Sequence, residues 1–226
     1  CDINRVSIHA YYRARLACSF LPPVFGRPVR DGGELKLDAL QPALGAPLHL
    51  INATLNTSTS RDERDRARLG AGFSFSALYS GSQQTGWRRV SSYAGGALTL
   101  SNAFTISGAV IDPDTYATNA RPIAFLMGLL NVRLGYWAKN PRLGHERNPF
   151  LPWWWIYLFR EMLGIRLDAR RRHIHLSDGG GFENLGIYEL IRRRVRTIVV
   201  CDAGCDPDLT LSDLGRAIEQ IGRAHV

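Results

Sequence analysis

The sequence predicts an α/β protein with a mostly parallel central sheet flanked by helices. Three observations predict it. Residues 173–202 read as strand, sharp turn, helix and strand, the order of a right-handed βαβ unit. Two more apolar runs, 48–54 and 72–78, have the length and composition of strands. Several longer segments repeat apolar residues at helical spacing.

Taken in order, residues 4–21 place Val6, Ile8, Tyr11, Tyr12, Leu16 and Phe20 among Arg5, Arg13 and Arg15, which predicts an amphipathic helix. Pro22-Pro23 ends it. Residues 22–46 are rich in Pro, Gly and charge and predict an irregular connection; Asp31-Gly32-Gly33 is a turn signal with no apolar strand before it. Residues 48–54 predict a strand, with Asn52 either near a site or in a core hydrogen bond. The alternating charges of 57–68 predict a solvated loop or exposed helix. Residues 72–78 alternate with period two, as a strand does. Residues 80–93 predict a loop with a hairpin-like bend at Thr85-Gly86.

Helices are predicted over 98–111 and 121–138, the second with one apolar face and an end before Asn140-Pro141. The first has small residues along one side, which allow close approach. In 149–163, Trp153, Trp154, Trp155, Tyr157 and Phe159 carry a large apolar load and three indole N–H groups that need partners. This segment fits a helix wedged on the core, or an acyl-chain groove or interfacial lip. A last helix follows the turn at 203–207, capped by Thr210 or Ser212, with Leu214, Ala217, Ile218 and Ile221 on its buried face.

The chain has 226 residues, 45% apolar and 21% charged, enough for one domain with a sizeable core. The net charge is +8, and only Lys36 and Lys139 are lysines, so 26 of the 28 basic residues are arginine. Arginine forks suit phosphate and carboxylate. The runs 170–172 and 192–194 flank the glycine turn but lack the interleaved aromatics of a single-strand nucleic-acid binder. Four scattered cysteines exclude a disulfide scaffold and suggest free thiols, Cys201 buried. No apolar run approaches the ~18 residues of a membrane span. Residue 1 is Cys and the final residues sit inside a helical pattern, so a piece of a longer chain is expected.

The chemistry centres on 173–190. His173 to Ser177 predict a short buried strand, Asp178 follows at its carboxyl end, and Gly179, Gly180 and Gly181 let the backbone turn and take positive φ. Asn184 is placed to cap the next helix, and 197–201 to form the returning strand, ending at Asp202. Ligands of open α/β sheets sit beyond such strand ends. Three uses fit these residues: an ordinary tight turn, a glycine loop cradling a phosphate or other anion in a non-catalytic module, or an aspartate aimed into a cleft. Asp178 and Glu183 argue against the anion.

Asp178-Gly179-Gly180, Phe182 and Asn184-Leu185, then a helix and an apolar run ending in Asp202-Ala203, resemble the aspartate segment of patatin-like and cytosolic phospholipase A2-like acyl hydrolases. Weaker likenesses lie at Ile51-Asn52-Ala53, at Gly72 to Phe75, at Ile106 to Ala109 and through 124–141. The resemblance implies a partial patatin-like three-layer fold. Residues 1–226 would be a single domain, the C-terminal portion of the catalytic domain, with the N-terminal strands and serine elbow missing. It implies acyl-ester hydrolysis by a Ser–Asp dyad, Asp178 being the aspartate. Gly179, Gly180 and Asn184 would bind substrate or shape the site. The serine and oxyanion loop would precede residue 1, since no Gly-x-Ser-x-Gly occurs here and Ser107 lacks a glycine-flanked elbow. The 226 residues alone are then expected to be inactive. The implied partner is a phospholipid or other acyl-ester lipid at a membrane surface, with no cofactor, metal or nucleic acid, in an intracellular or membrane-associated protein. Gly181 departs from the family, whose bacterial members often carry histidine there.

Overall fold

A computed structural model describes residues 3–21, 35–40, 42, 47–58, 60, 70–111, 121–143, 154–163 and 167–224. Six strands form one sheet: β1 (Leu50–Asn56), β2 (Gly70–Ser76), β3 (Tyr79–Ser82), β4 (Gly86–Arg89), β5 (Tyr136–Lys139) and β6 (His173–Asp178). The helices are α1 (Ile3–Val6), α2 (His9–Phe20), α3 (Leu100–Ser107), α4 (Arg121–Leu129), α5 (Trp154–Met162), α6 (Ile187–Arg192) and α7 (Ser212–Ala224).

The strand order is β4-β3-β2-β1-β6-β5, and every neighbouring pair is antiparallel. This overturns the mostly parallel, doubly flanked sheet expected from the sequence. The reason lies in the connections. β2, β3 and β4 follow one another through turns of two and three residues, which join only antiparallel neighbours. β1 is flanked by β2 on one side and β6 on the other. The segment 197–201, expected as the returning parallel strand, forms no strand; Val199 is 86% exposed. The strand–turn–helix half of the βαβ unit is present, and its second strand is not in the sheet.

The sheet's two faces differ in chemistry because side chains alternate along each strand. Ile51, Ala53 and Leu55 on β1, Ala71, Phe73 and Phe75 on β2, and Ile174 and Leu176 on β6 pack with Ala103 and Ile106 of α3 into the main core. Thr54, Asn56, Ser74, Ser76, His175 and Ser177 hold the alternate positions, and all of them are buried too. Buried polar groups need partners, and part of this layer gathers on Glu161 of α5. The Trp137 indole donates to Glu161 Oε1. Arg133 donates to the same oxygen at 3.2 Å and to the Ile3 carbonyl at 2.6 Å. The Asn56 side-chain amide stands 2.7 Å from His175 Nδ1. The other imidazole nitrogen, Nε2, faces Glu161 Oε1 at 3.0 Å.

Several local expectations are corrected. The first helix is two, broken at Ser7-Ile8; the Asn4 side chain then pairs with both backbone groups of Trp137 on the sheet's edge. The single helix expected over 121–138 stops at Leu129. Asn131 takes φ 55°, and the Val132 N–H reaches back to the Met127 carbonyl, a left-handed C-terminal cap. Residues 136–139 become β5. The bend at Thr85-Gly86 is present, and it closes a true hairpin in which Ser82 and Thr85 exchange side-chain and backbone hydrogen bonds. Cys201, expected to be buried, is exposed and is a free thiol like Cys18 and Cys205. On α7 only Ala217 is fully buried, while Leu214 and Ile218 face outward. Residues 22–34, 43–46, 61–69 and 149–153 of the expected loops and tryptophan cluster lie outside the described residues. Among the described residues no helix is long and apolar enough to cross a membrane.

Candidate functional site

β6 ends at Asp178, opposite Ala53 in the middle of β1. The strand ends there because Gly179–Gly181 form one turn of 3-10 helix, closed by the Phe182 and Glu183 N–H groups on the Gly179 carbonyl. None of these three glycines has positive φ, so their expected left-handed geometry is corrected. They are needed for close approach instead. A Cβ on Gly179 would sit 2.7 Å from the backbone carbonyl oxygen of Asn52 and 3.6 Å from Ser107 Oγ. One on Gly180 would collide with Asn184 Oδ1 and come within 3.2 Å of Asp178 Oδ2. One on Gly181 would press on Thr54 Oγ1. The expected site residues Asp178, Gly179, Gly180 and Asn184 are thus brought together around Gly180.

Asp178 is half-buried. Loss of water raises its pKa above the ordinary carboxylate value, and hydrogen bonds from the Gly180 and Gly179 backbone N–H groups offset part of that rise. The sign for stability follows. A carboxyl whose folded pKa is raised binds its proton more tightly when folded, so its contribution falls as pH rises from the unfolded toward the folded value. Asp178→Asn is therefore expected to raise the melting temperature at neutral pH. The gain should disappear below the ordinary aspartate pKa of about 3.9, where Asp178 is protonated in both states. Thermal unfolding of both proteins across that range checks this.

Asn184 does not cap α6. The residue before that helix is Gly186, left-handed at φ 70°. The Glu183 carboxylate clips the helix start, one oxygen accepting from the Leu185 N–H and the other from the Tyr188 N–H at 3.2 Å. Asn184 instead donates to Asp213 of α7 at 3.1 Å, and Arg216 of α7 donates to the Gly180 carbonyl at 3.3 Å. On the sheet side, Thr54 Oγ1 donates to the Asp178 carbonyl at 2.6 Å, and Ser74 Oγ donates to Asn52 Oδ1 at 3.0 Å. The loop is therefore braced from β1 and from α7. Sequence reasoning missed Thr54, Glu183, Asp213 and Arg216. The spacing of Asp213 and Arg216, three apart on one helix face, was the available signal for the α7 brace.

A crevice of about 10 Å³, roughly one water molecule's room, lies between Asn52, Ser74, Gly179, Phe182 and Tyr188. It is too small for an acyl chain. The basic run after α6 is already engaged: Arg192 and Arg193 pair with buried Glu189 at 2.7 and 3.3 Å, and both guanidinium groups lie over the Trp87 ring. Among the described residues no cluster of His, Cys, Asp or Glu has the form of a metal site.

What this arrangement offers is one desolvated carboxylate at a strand tip, a braced glycine turn beneath it, and a serine hydroxyl, Ser107, at the turn's edge. No protein-family model, curated protein or solved structure matches the chain.

Proposed function

We propose that these residues serve acyl-ester hydrolysis, with Asp178 as the general base that takes the proton of an attacking serine hydroxyl. The observation that carries this reading is a half-buried Asp178 at the end of β6 whose loop is held from two sides, burial favouring a pKa above the ordinary carboxylate value. An ordinary aspartate is a weak base at neutral pH, and partial loss of water is what strengthens it. The glycines keep side chains away from its approach. The substrate class is a phospholipid or other acyl-ester lipid, as the family resemblance implies. The same resemblance assigns the nucleophile to a serine elbow ahead of residue 1. Ser107 ends α3 and is not on a strand-to-helix elbow.

The anion-binding alternative is disfavoured by Glu183, whose carboxylate occupies the backbone donors at the start of α6. The test is ester hydrolysis by the polypeptide that carries these residues together with its serine elbow, with and without Asp178→Asn. Loss of turnover supports the assignment. Full turnover in the variant removes Asp178 from the chemistry.

A further inference from the structure

The two helices beside the polar face of the sheet present an unusual surface. α4 and α5 pack side by side, so close that a Cβ on Gly128 would collide with the Met162 side chain. The inner side of α5 is fixed. Glu161 is buried against Trp137 and Arg133, and the Tyr157 hydroxyl lies 2.9 Å from His173 Nδ1. The outer side is apolar and open. On and just after α4, Phe125, Leu126, Leu129 and Leu130 are 46–63% exposed. On and just after α5, Trp155, Ile156, Phe159 and Leu163 are 37–55% exposed. The spacings 125/129, 126/130 and 155/159/163 place each set on one helix face, and the Trp155 and Phe159 rings are in edge contact.

Isolated exposed apolar residues are ordinary, but two adjacent stripes of this kind mark a surface that meets something. Charge selects what it meets. Arg160 lies over the Tyr157 ring at 4.9 Å, and both Arg160 and Arg172 act electrostatically on the Tyr157 hydroxyl. The chain as a whole carries +8. An anionic lipid surface supplies phosphates for the arginines, an acyl layer for the leucines, and an interface where tryptophan and tyrosine are favoured.

We propose that the α4–α5 face docks on an anionic bilayer, its apolar side chains entering the headgroup–acyl boundary and the arginines at its edge meeting phosphate. The proposal rests on the lipid-substrate reading for its purpose, but binding and hydrolysis are measured separately, so either can fail alone. The test is co-sedimentation of the protein with vesicles of phosphatidylcholine containing phosphatidylglycerol, and with phosphatidylcholine alone. The protein is expected to bind the anionic vesicles and to bind the neutral ones more weakly. Leu129→Glu with Phe159→Glu, both at exposed positions that the fold does not need, is expected to lower the affinity about tenfold or more. Leu209→Glu, more exposed still but outside this face, should change it little. Asp178→Asn should leave it unchanged. The proposal is overturned if the wild-type protein ignores anionic vesicles, or if the double variant binds as tightly as wild type. It is also overturned if light scattering shows a dimer that the double variant dissolves, without vesicle binding.

Discussion

Asp178→Asn is expected to lower ester turnover by about 10²–10⁴-fold, the usual contribution of a positioned general base. Asparagine fills the same space and still accepts from the Gly179 and Gly180 N–H groups. The loop should therefore stay in place, braced by Thr54 and Arg216. What disappears is the ability to take a proton, so kcat should fall with little change in KM. If Asp178 is the base, as proposed, the polypeptide that carries these residues with its serine elbow should show an acid limb of kcat/KM above the ordinary aspartate pKa of about 3.9, because burial raises Asp178. Steady-state kinetics across pH measure both effects. A variant that melts lower than wild type at neutral pH would show that the carboxylate holds the loop rather than serving it.

The second large effect concerns the buried layer behind the site. Glu161→Ala is expected to destabilise the fold by about 3–5 kcal/mol, the usual result of leaving a buried charge without its counter-ion. Arg133 is 1% exposed and Glu161 0%, so water does not compensate the survivor. For a chain of this size that is a fall in melting temperature of roughly 10 °C. The damage should spread, because Glu161 gathers Trp137 of β5, His175 of β6 and Arg133 onto one carboxylate. His175 is three residues before Asp178 on the same strand. Replacing Glu161 and Arg133 together by methionine should cost less than either single change, since no charge is then stranded. Denaturant unfolding of the two single variants and the double variant checks this, and simple additivity would contradict it.

The local order of elements in 173–192 was more legible than the sheet around it. Strand, aspartate, glycine turn and short helix were all legible in 173–192, because each step has its own local chemistry. Alternation in 72–78 was legible for the same reason. Strand direction was not, because it depends on which distant strands lie on either side of β1. The run 197–201 is as apolar as a central strand, and no local feature tells that it stays outside the sheet. The helix expected over 121–138 failed at one residue: Asn131 adopts the left-handed cap that asparagine tolerates and most residues do not. The roles of the glycines were misread because crowding by Asn52, Thr54 and Asn184 is a tertiary fact, while a turn containing three glycines invites a positive-φ reading. The sequence marks Glu183 only as a repulsive charge, because its hold on the start of α6 depends on how the turn folds back.

The proposed role of Asp178 requires a carboxylate partly deprived of water. Carboxyl-carbon NMR titration of the protein, with the Asp178 signal assigned by its loss in Asp178→Asn, measures this directly. A midpoint above the ordinary aspartate value of about 3.9 is the predicted result. A midpoint at or below it would contradict the account, because the group would then be a solvated or ion-paired carboxylate, too weak a base for the role given to it.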